Sequence, residues 1–436
     1  MTSTTRQVRK VAVLGANGAM GSGSGELFAA DGVETVFLAR DHEKAREGLE
    51  RAQSMAKSER LADFIRLGTY DHDLPSAVAQ ADLIFEALAE DLALKERFFE
   101  QVDRHRRPDS IVATVSSGLS IAAMAKGRSD SFRKNFLGIH LFNPPNVITG
   151  CEVIPHADTD PALVDFVTRL LEKRLGRKVV QTADLPAFAG NRVGFKVLNE
   201  VAQLAAEHGV AFMDTLVGPH TGRAMAPLAT VDLVGWDVHR AIVDNVFAST
   251  DDEAHDRFRL PGYMESLMAS GHLGDKTPAK GGFYRRVRDG KTTETYVLDP
   301  AKGEYRAIHD SIVDPPDFVV RMKRLNRVGR YREALRVMLD AKGWEADLLR
   351  TVVLGYVSYG LNRVGEVVKE ARDVDRIMGF GFNWAPPTVL VDLAGVKPMI
   401  AAIERADLQV PKVLTEHRSG RLFNEPHVDT GRFFVG

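Results

Sequence analysis

The segment from Lys10 to Gly25 constrains this chain more than any other. Lys10 to Leu14 (KVAVL) is a short apolar run that empties into a turn carrying Gly15, Gly18 and Gly21. A helical pattern follows, with Leu27, Phe28 and Ala29 on its apolar side. Strand, glycine turn and helix in that order are what a dinucleotide site needs. Glycine lets the backbone close on a pyrophosphate, and the helix N-terminus offers free N–H groups and a positive dipole end. The spacing is GxxGxxG, not GxGxxG, and a tight turn with no ligand would read the same way. Val33 to Leu38 is the second strand. Its end should carry the group that reads the adenosine ribose: an acid for a free 2′-hydroxyl, an arginine for a 2′-phosphate. The residues there are Leu38-Ala39-Arg40-Asp41, which leave that choice open, and both charges would also serve as solvated loop groups.

Leu83 to Leu88, Ile111 to Val115 and Phe136 to Leu141 are further β-like runs separated by helical stretches. This alternation predicts a parallel sheet with helices on both faces, in a first domain over residues 1–185. After Pro186 the strand signal fades. Val193–His208 and Asp237–Phe247 read as helices of a first helical domain over 186–285. Gly281 to His309 alternates β-formers around Asp289-Gly290 and Asp299-Pro300, which predicts one or two hairpins in a connector over 286–315. Residues 316–436 are helical again. The two helical parts echo each other: Asn191-Arg192-Val193-Gly194 recurs as Asn362-Arg363-Val364-Gly365, and Asp232-Leu233-Val234-Gly235 as Asp392-Leu393-Ala394-Gly395. Asp214 and Asp375 lie between the members. Ordered matches of this kind point to a duplicated helical unit.

With 436 residues the chain has room for two or three domains of roughly 150 residues. Its 57 Lys+Arg against 59 Asp+Glu give a net charge of -2, so nothing draws it as a whole to nucleic acid or an anionic membrane. Cys151 is the one cysteine, which excludes an intrachain disulfide and a cysteine-based metal cluster, and no metal is expected. No apolar run approaches the ~20 residues of a membrane span, and Met1 to Lys10 lacks a signal-peptide run. A cytoplasmic protein is expected.

Gly138-Ile139-His140-Leu141-Phe142-Asn143-Pro144-Pro145 is followed by Cys151-Glu152-Val153-Ile154, so Glu152 comes twelve positions after His140. A lone histidine near a lone glutamate is more often structural than catalytic. In this context the pieces resemble the L-3-hydroxyacyl-CoA dehydrogenases of fatty-acid β-oxidation, which carry H-[FL]-F-N-P and a glutamate at that distance. Phe85 to Glu90 with Lys95 is similar to that family's segment beside the nicotinamide ribose. Thr114 to Leu119 resembles its S-N-T-S-S-L, Phe188 to Arg192 its G-F-I-x-N-R, and Gly271 to Thr277 with Gly282-Phe283-Tyr284 the close of its first helical domain. The family's GxGxxG turn occurs with one residue added, as GxxGxxG.

The resemblance implies an α/β Rossmann-type domain followed by an all-α dehydrogenase C-terminal domain, here duplicated and without a fused enoyl-CoA hydratase. It implies interconversion of (S)-3-hydroxyacyl-CoA and 3-oxoacyl-CoA with NAD, NADP being left open because Arg40 stands where the family has aspartate. His140 would be the general base and Glu152 the carboxylate behind it. Ser117 and Asn191 would hold the substrate oxygen. Gly15, Gly18, Met20, Gly21, Arg40, Glu90, Lys95 and Asn143 would bind the cofactor. Lys44, Arg46, Arg51, Lys57 and Arg60 would either meet the CoA phosphates or form a solvated helix face interleaved with glutamates. Monomer and homodimer both fit, as does association with other β-oxidation enzymes. Two further readings stay open: a dehydrogenase of a free 3-hydroxy acid, and a non-catalytic subunit of a β-oxidation complex.

Overall fold

The structure is a computed structural model that describes residues 6–289, 292–311, 313–417, 419–426 and 428–434. The chain divides into two compact units, Met1–Phe188 and Ala189–Gly436.

The first unit is built on an eight-stranded sheet: β1 (Lys10–Leu14), β2 (Glu34–Ala39), β3 (Ile65–Thr69), β4 (Leu83–Glu86), β5 (Ile111–Thr114), β6 (Phe136–Leu141), β7 (Gly150–Pro155) and β8 (Lys178–Gln181). Their spatial order is β3-β2-β1-β4-β5-β6-β7-β8. The first six follow the 3-2-1-4-5-6 order of doubly wound dinucleotide folds, whose ligand crevice lies at the carboxyl ends of the strands where the order reverses. That reversal falls between β1 and β4. The strands read as unbroken apolar runs because both faces are covered. Val11, Val13, Phe37, Phe85 and Ala113 enter one core, and Ala12, Leu14, Leu38, Ile84 and Val112 enter the other. The period of two in β-structure dictates this division.

One expectation needs correction. The sheet is not wholly parallel, because β7 runs antiparallel to β6. Only residues 142–149 separate the two strands, and a parallel return needs a crossover of a dozen residues or more. β3, β7 and β8 went unread as strands in the sequence; β3 (IRLGT) exposes Arg66 and half-exposes Leu67, so it shows neither a clean alternation nor an apolar run.

The second unit is mainly helical. Its buried axis is the helix Gly190–His208, with the helix Trp344–Asn362 in contact with it. Tyr284–Asp289, Thr292–Asp299 and Glu304–Ala307 form a separate antiparallel sheet; Gly290 lies outside the described residues. The echoed aspartates make equivalent bonds. Asp232 accepts the N–H groups of Phe283 and Tyr284, and Asp392 those of Leu422 and Phe423. Asp214 accepts from Leu228 N and Ala229 N, and Asp375 from Thr388 N, each at the start of a proline-led helix. The echoed arginines meet: Arg192 and Arg363 both bind Asp252, at 2.7 and 3.1 Å. No helix among the described residues is long and apolar enough to cross a membrane.

Candidate active site

The glycine turn folds tightly at the crevice. Gly15 has φ +79°, and a Cβ there would stand 2.2 Å from the Ala87 carbonyl oxygen at the end of β4. A Cβ at Gly21 would stand 2.2 Å from the Gly15 carbonyl oxygen. Gly18 begins the helix Ala19–Ala30, and no side chain caps it. The first N–H groups of that helix are therefore left for a ligand, with the positive dipole end behind them. These are the features a pyrophosphate needs, and the turn fits one. Met20 is half-buried and packs against the core beside the sheet.

Tyr70, which the sequence reading did not single out, anchors this turn: the Gly15 N–H donates to its hydroxyl oxygen at 2.9 Å. Burial pushes the Tyr70 hydroxyl up to about 12, so it stays a neutral phenol. Removing that acceptor leaves a part-buried N–H unpaired. Tyr70→Phe is expected to cost about 1–3 kcal/mol of stability in a urea titration. It should also weaken dinucleotide binding, because the donor-lined turn loses its brace.

At the end of β2, Arg40 is exposed and its Nε lies 3.4 Å from Asp41 Oδ2. Asp41 caps the helix His42–Ala56 by accepting the Lys44 N–H at 2.8 Å. The carboxyl end of β4 carries a buried charge network. Glu86 and Lys95 side chains are both 0% exposed, with Lys95 Nζ 2.7 Å from Glu86 Oε1. Glu86 also accepts from Thr114 Oγ1 at 2.5 Å and from Leu88 N at 2.6 Å. Lys95 reaches Glu90 Oε2 at 3.6 Å. Glu90 Oε1 in turn accepts from Ser116 Oγ and from the N–H groups of Ser117, Gly118 and Leu119. Burial raises the Glu90 carboxyl, but Lys95 and these donors outweigh it and hold it below its ordinary range. Its contribution to stability is thus complete above the unfolded value of about 4.3 and is lost as pH falls through the lowered one. Lys95 is wholly buried, so it acts on the crevice through Glu90. Ser117 is half-buried in the same turn.

His140 and Glu152 are direct partners across the β6–β7 pair. Facing residues of antiparallel strands bring their Cβ atoms to about 4.5–5.5 Å, which turns a spacing of twelve residues into a contact. Nδ1 of His140 lies 2.6 Å from Glu152 Oε2, with side chains 4% and 0% exposed. A carboxylate can only accept, so Nδ1 carries the proton; in the neutral imidazole this leaves the lone pair on Nε2. Phe142 and Phe188 flank the imidazole at ring separations of 4.8 and 5.7 Å. By the strand period, Glu86, Thr114, His140 and Glu152 all point to the sheet face that Ile84, Val112 and Ile154 share. Ala187 and Phe188 have φ of +60° and +50°. Ala187 stands where the resembling motif has glycine, and left-handed backbone costs such a residue about 1–2 kcal/mol.

Asn143 is exposed in the loop after β6. Arg177 braces that loop through the carbonyls of Pro145 and Ile148, at 2.7 and 3.0 Å. Cys151, next to Glu152, is fully buried; burial and the glutamate charge push its thiol well up, so it is no nucleophile. Asn191 lies in the second unit, buried in the first turn of the helix Gly190–His208.

The family model described as 3-hydroxyacyl-CoA dehydrogenase, NAD binding domain, matches residues 10–185, and that of the family's C-terminal domain matches residues 188–286. A probable 3-hydroxyacyl-CoA dehydrogenase of Deinococcus radiodurans is 31% identical over 317 residues, which cover 69% of this chain and 90% of that one. The chain belongs to the 3-hydroxyacyl-CoA dehydrogenase family. Residues 10–185 are therefore its NAD-binding domain. A probable 3-hydroxyacyl-CoA dehydrogenase of Bacillus subtilis is 30% identical over 94% of this chain; the chain spans 54% of that relative's length. Among solved structures, 3-hydroxybutyryl-CoA dehydrogenase of Escherichia coli K12 shares the fold, with a TM-score of 0.66 at 21% identity over 91% of this chain and 94% of that one. FadB2 of M. tuberculosis gives 0.56 at 27% identity over 64% and 99%.

Proposed function

We propose that the chain interconverts (S)-3-hydroxyacyl-CoA and 3-oxoacyl-CoA in fatty-acid β-oxidation. The observation that carries this reading is the buried contact between His140 Nδ1 and Glu152 Oε2 at 2.6 Å, in a domain of the NAD-binding class.

The turn Gly15–Gly21 and the uncapped helix N-terminus would hold the NAD pyrophosphate, with Met20, Glu90 and Asn143 as further cofactor contacts and Lys95 holding Glu90; Arg40 stands where a 2′-phosphate, which NAD lacks, would be read. Bound NAD supplies the acceptor for the hydride that leaves the alcohol carbon. His140 Nε2 takes the hydroxyl proton, which is the task of a positioned general base. Glu152 fixes the tautomer that leaves Nε2 basic and stabilises the imidazolium once the proton arrives. In the reverse direction the same imidazolium returns its proton to the carbonyl oxygen. Ser117 and Asn191 are carried into the proposal as substrate-oxygen ligands on the motif resemblance.

The second unit is read as two copies of one helical fold, residues 186–285 and 316–436, joined by the antiparallel sheet in 286–315. The matched bonds of Asp232 with Asp392 and of Asp214 with Asp375 support this. Two relatives described as putative trifunctional enzymes of a fatty acid oxidation complex support association with other enzymes of that process.

The test is reduction of acetoacetyl-CoA by NADH, followed by loss of nicotinamide absorbance, beside the same assay on acetoacetate. Turnover of the thioester with none of the free acid is expected. Equal or faster turnover of acetoacetate would favour the free-acid reading and remove the CoA assignment.

A further inference from the structure

The end of β2 carries an inference that rests on the cofactor reading above. Ala16 N donates to the Leu38 carbonyl at 3.3 Å, which stitches the glycine turn to the last residues of β2. A Cβ at Gly48 would stand 2.4 Å from the Ala16 carbonyl oxygen, so the helix His42–Ala56 is held against the same turn. Arg40 and Asp41 lie between that strand and that helix. In a doubly wound fold this is where the adenosine ribose is read.

The two charges are not equally available. Asp41 is committed: Oδ1 caps the helix through the Lys44 N–H, and Oδ2 faces Arg40. Turning the carboxylate toward a ribose hydroxyl would give up that cap and leave a helix N–H unpaired. Arg40 is otherwise free. Its side chain is 73% exposed, its one ion pair runs through Nε, and its terminal nitrogens make no hydrogen bond among the described residues. Of the neighbouring charges, Lys44 is tied to Glu47 at 2.6 Å, while His42 and Glu43 are exposed in the first helical turn. A planar fork of donors matches the charged oxygens of a phosphate, whereas a lone hydroxyl offers it one neutral acceptor and no charge.

We propose that Arg40 receives the 2′-phosphate of NADP(H), so that this chain binds NADP(H) as well as NAD(H).

The experiment titrates the full chain with NADH and with NADPH at equilibrium, following nicotinamide fluorescence, for the wild type, Arg40→Ala and Arg40→Asp. An exposed side chain of this kind can be exchanged without disturbing the core. The wild type should bind the two nucleotides within about tenfold of each other, the scale of a single exposed contact. Arg40→Ala should weaken NADPH roughly ten- to a hundredfold, the range for a hydrogen-bonded charge, and leave NADH nearly unchanged. Arg40→Asp should abolish NADPH binding and tighten NADH. Added salt should weaken NADPH more steeply than NADH, since the extra contact is between exposed charges. If the wild type binds NADH and not NADPH, or if Arg40→Ala weakens both alike, the proposal is wrong while the cofactor reading stands. If neither nucleotide binds, both fall.

Discussion

Replacing His140 by alanine is expected to lower turnover of a 3-hydroxyacyl thioester by about 10²–10⁴-fold, the usual loss when a positioned general base is removed. The expectation follows from geometry. Glu152 lies on β7, between β6 and β8, with 0% side-chain exposure, and its contact at 2.6 Å gives the imidazole one orientation and one tautomer. The variant also takes a donor from that carboxylate, which costs stability as well as rate. His140→Gln separates the two effects, because a side-chain amide can still donate to Glu152 but has no basic nitrogen. Both variants should bind NADH as the wild type does, and His140→Gln should melt close to it. A folded His140→Gln enzyme that turns over at the wild-type rate would remove His140 from the chemistry.

Much of this site could be read from the chain, for a definite reason. β1, β2, β4, β5 and β6 are buried on both faces, so they appear as plain apolar runs. The glycines are visible because a tight turn admits no other residue at Gly15 and Gly21. The His140–Glu152 pair was legible as a spacing, and as a contact only through the resemblance. Its meaning depends on β7 returning antiparallel, and the short loop after β6 was the available clue. Glu86 and Thr114 were given no role of their own because each closes a strand as its only polar residue, where a chain usually just leaves the core. The signal was a glutamate ending the run LIFE, with Lys95 nine residues later and facing it. Tyr70 gave no signal at all, since its bond to Gly15 spans 55 residues and depends on how β3 is placed.

That buried network leads to the second large effect. Lys95→Met is expected to destabilise the protein by about 3–5 kcal/mol at neutral pH, because it strands a buried carboxylate. Glu86 would keep Thr114 Oγ1 and Leu88 N, two neutral donors, but lose its cation. Glu90 would lose the same counter-charge while still holding the N–H groups of Ser117, Gly118 and Leu119. Methionine fills similar volume, so the loss is mainly electrostatic. The sign with pH distinguishes this from a packing defect. Without Lys95, burial favours the protonated form of Glu86 in the folded variant. The deficit against wild type in urea titrations should therefore be largest at neutral pH and shrink toward pH of about 4. Lys95→Met combined with Glu86→Gln should recover most of the loss, as removing both charges leaves neither one stranded. A deficit that stays constant with pH, and that the double variant does not relieve, would mean that Lys95 fills space and no more.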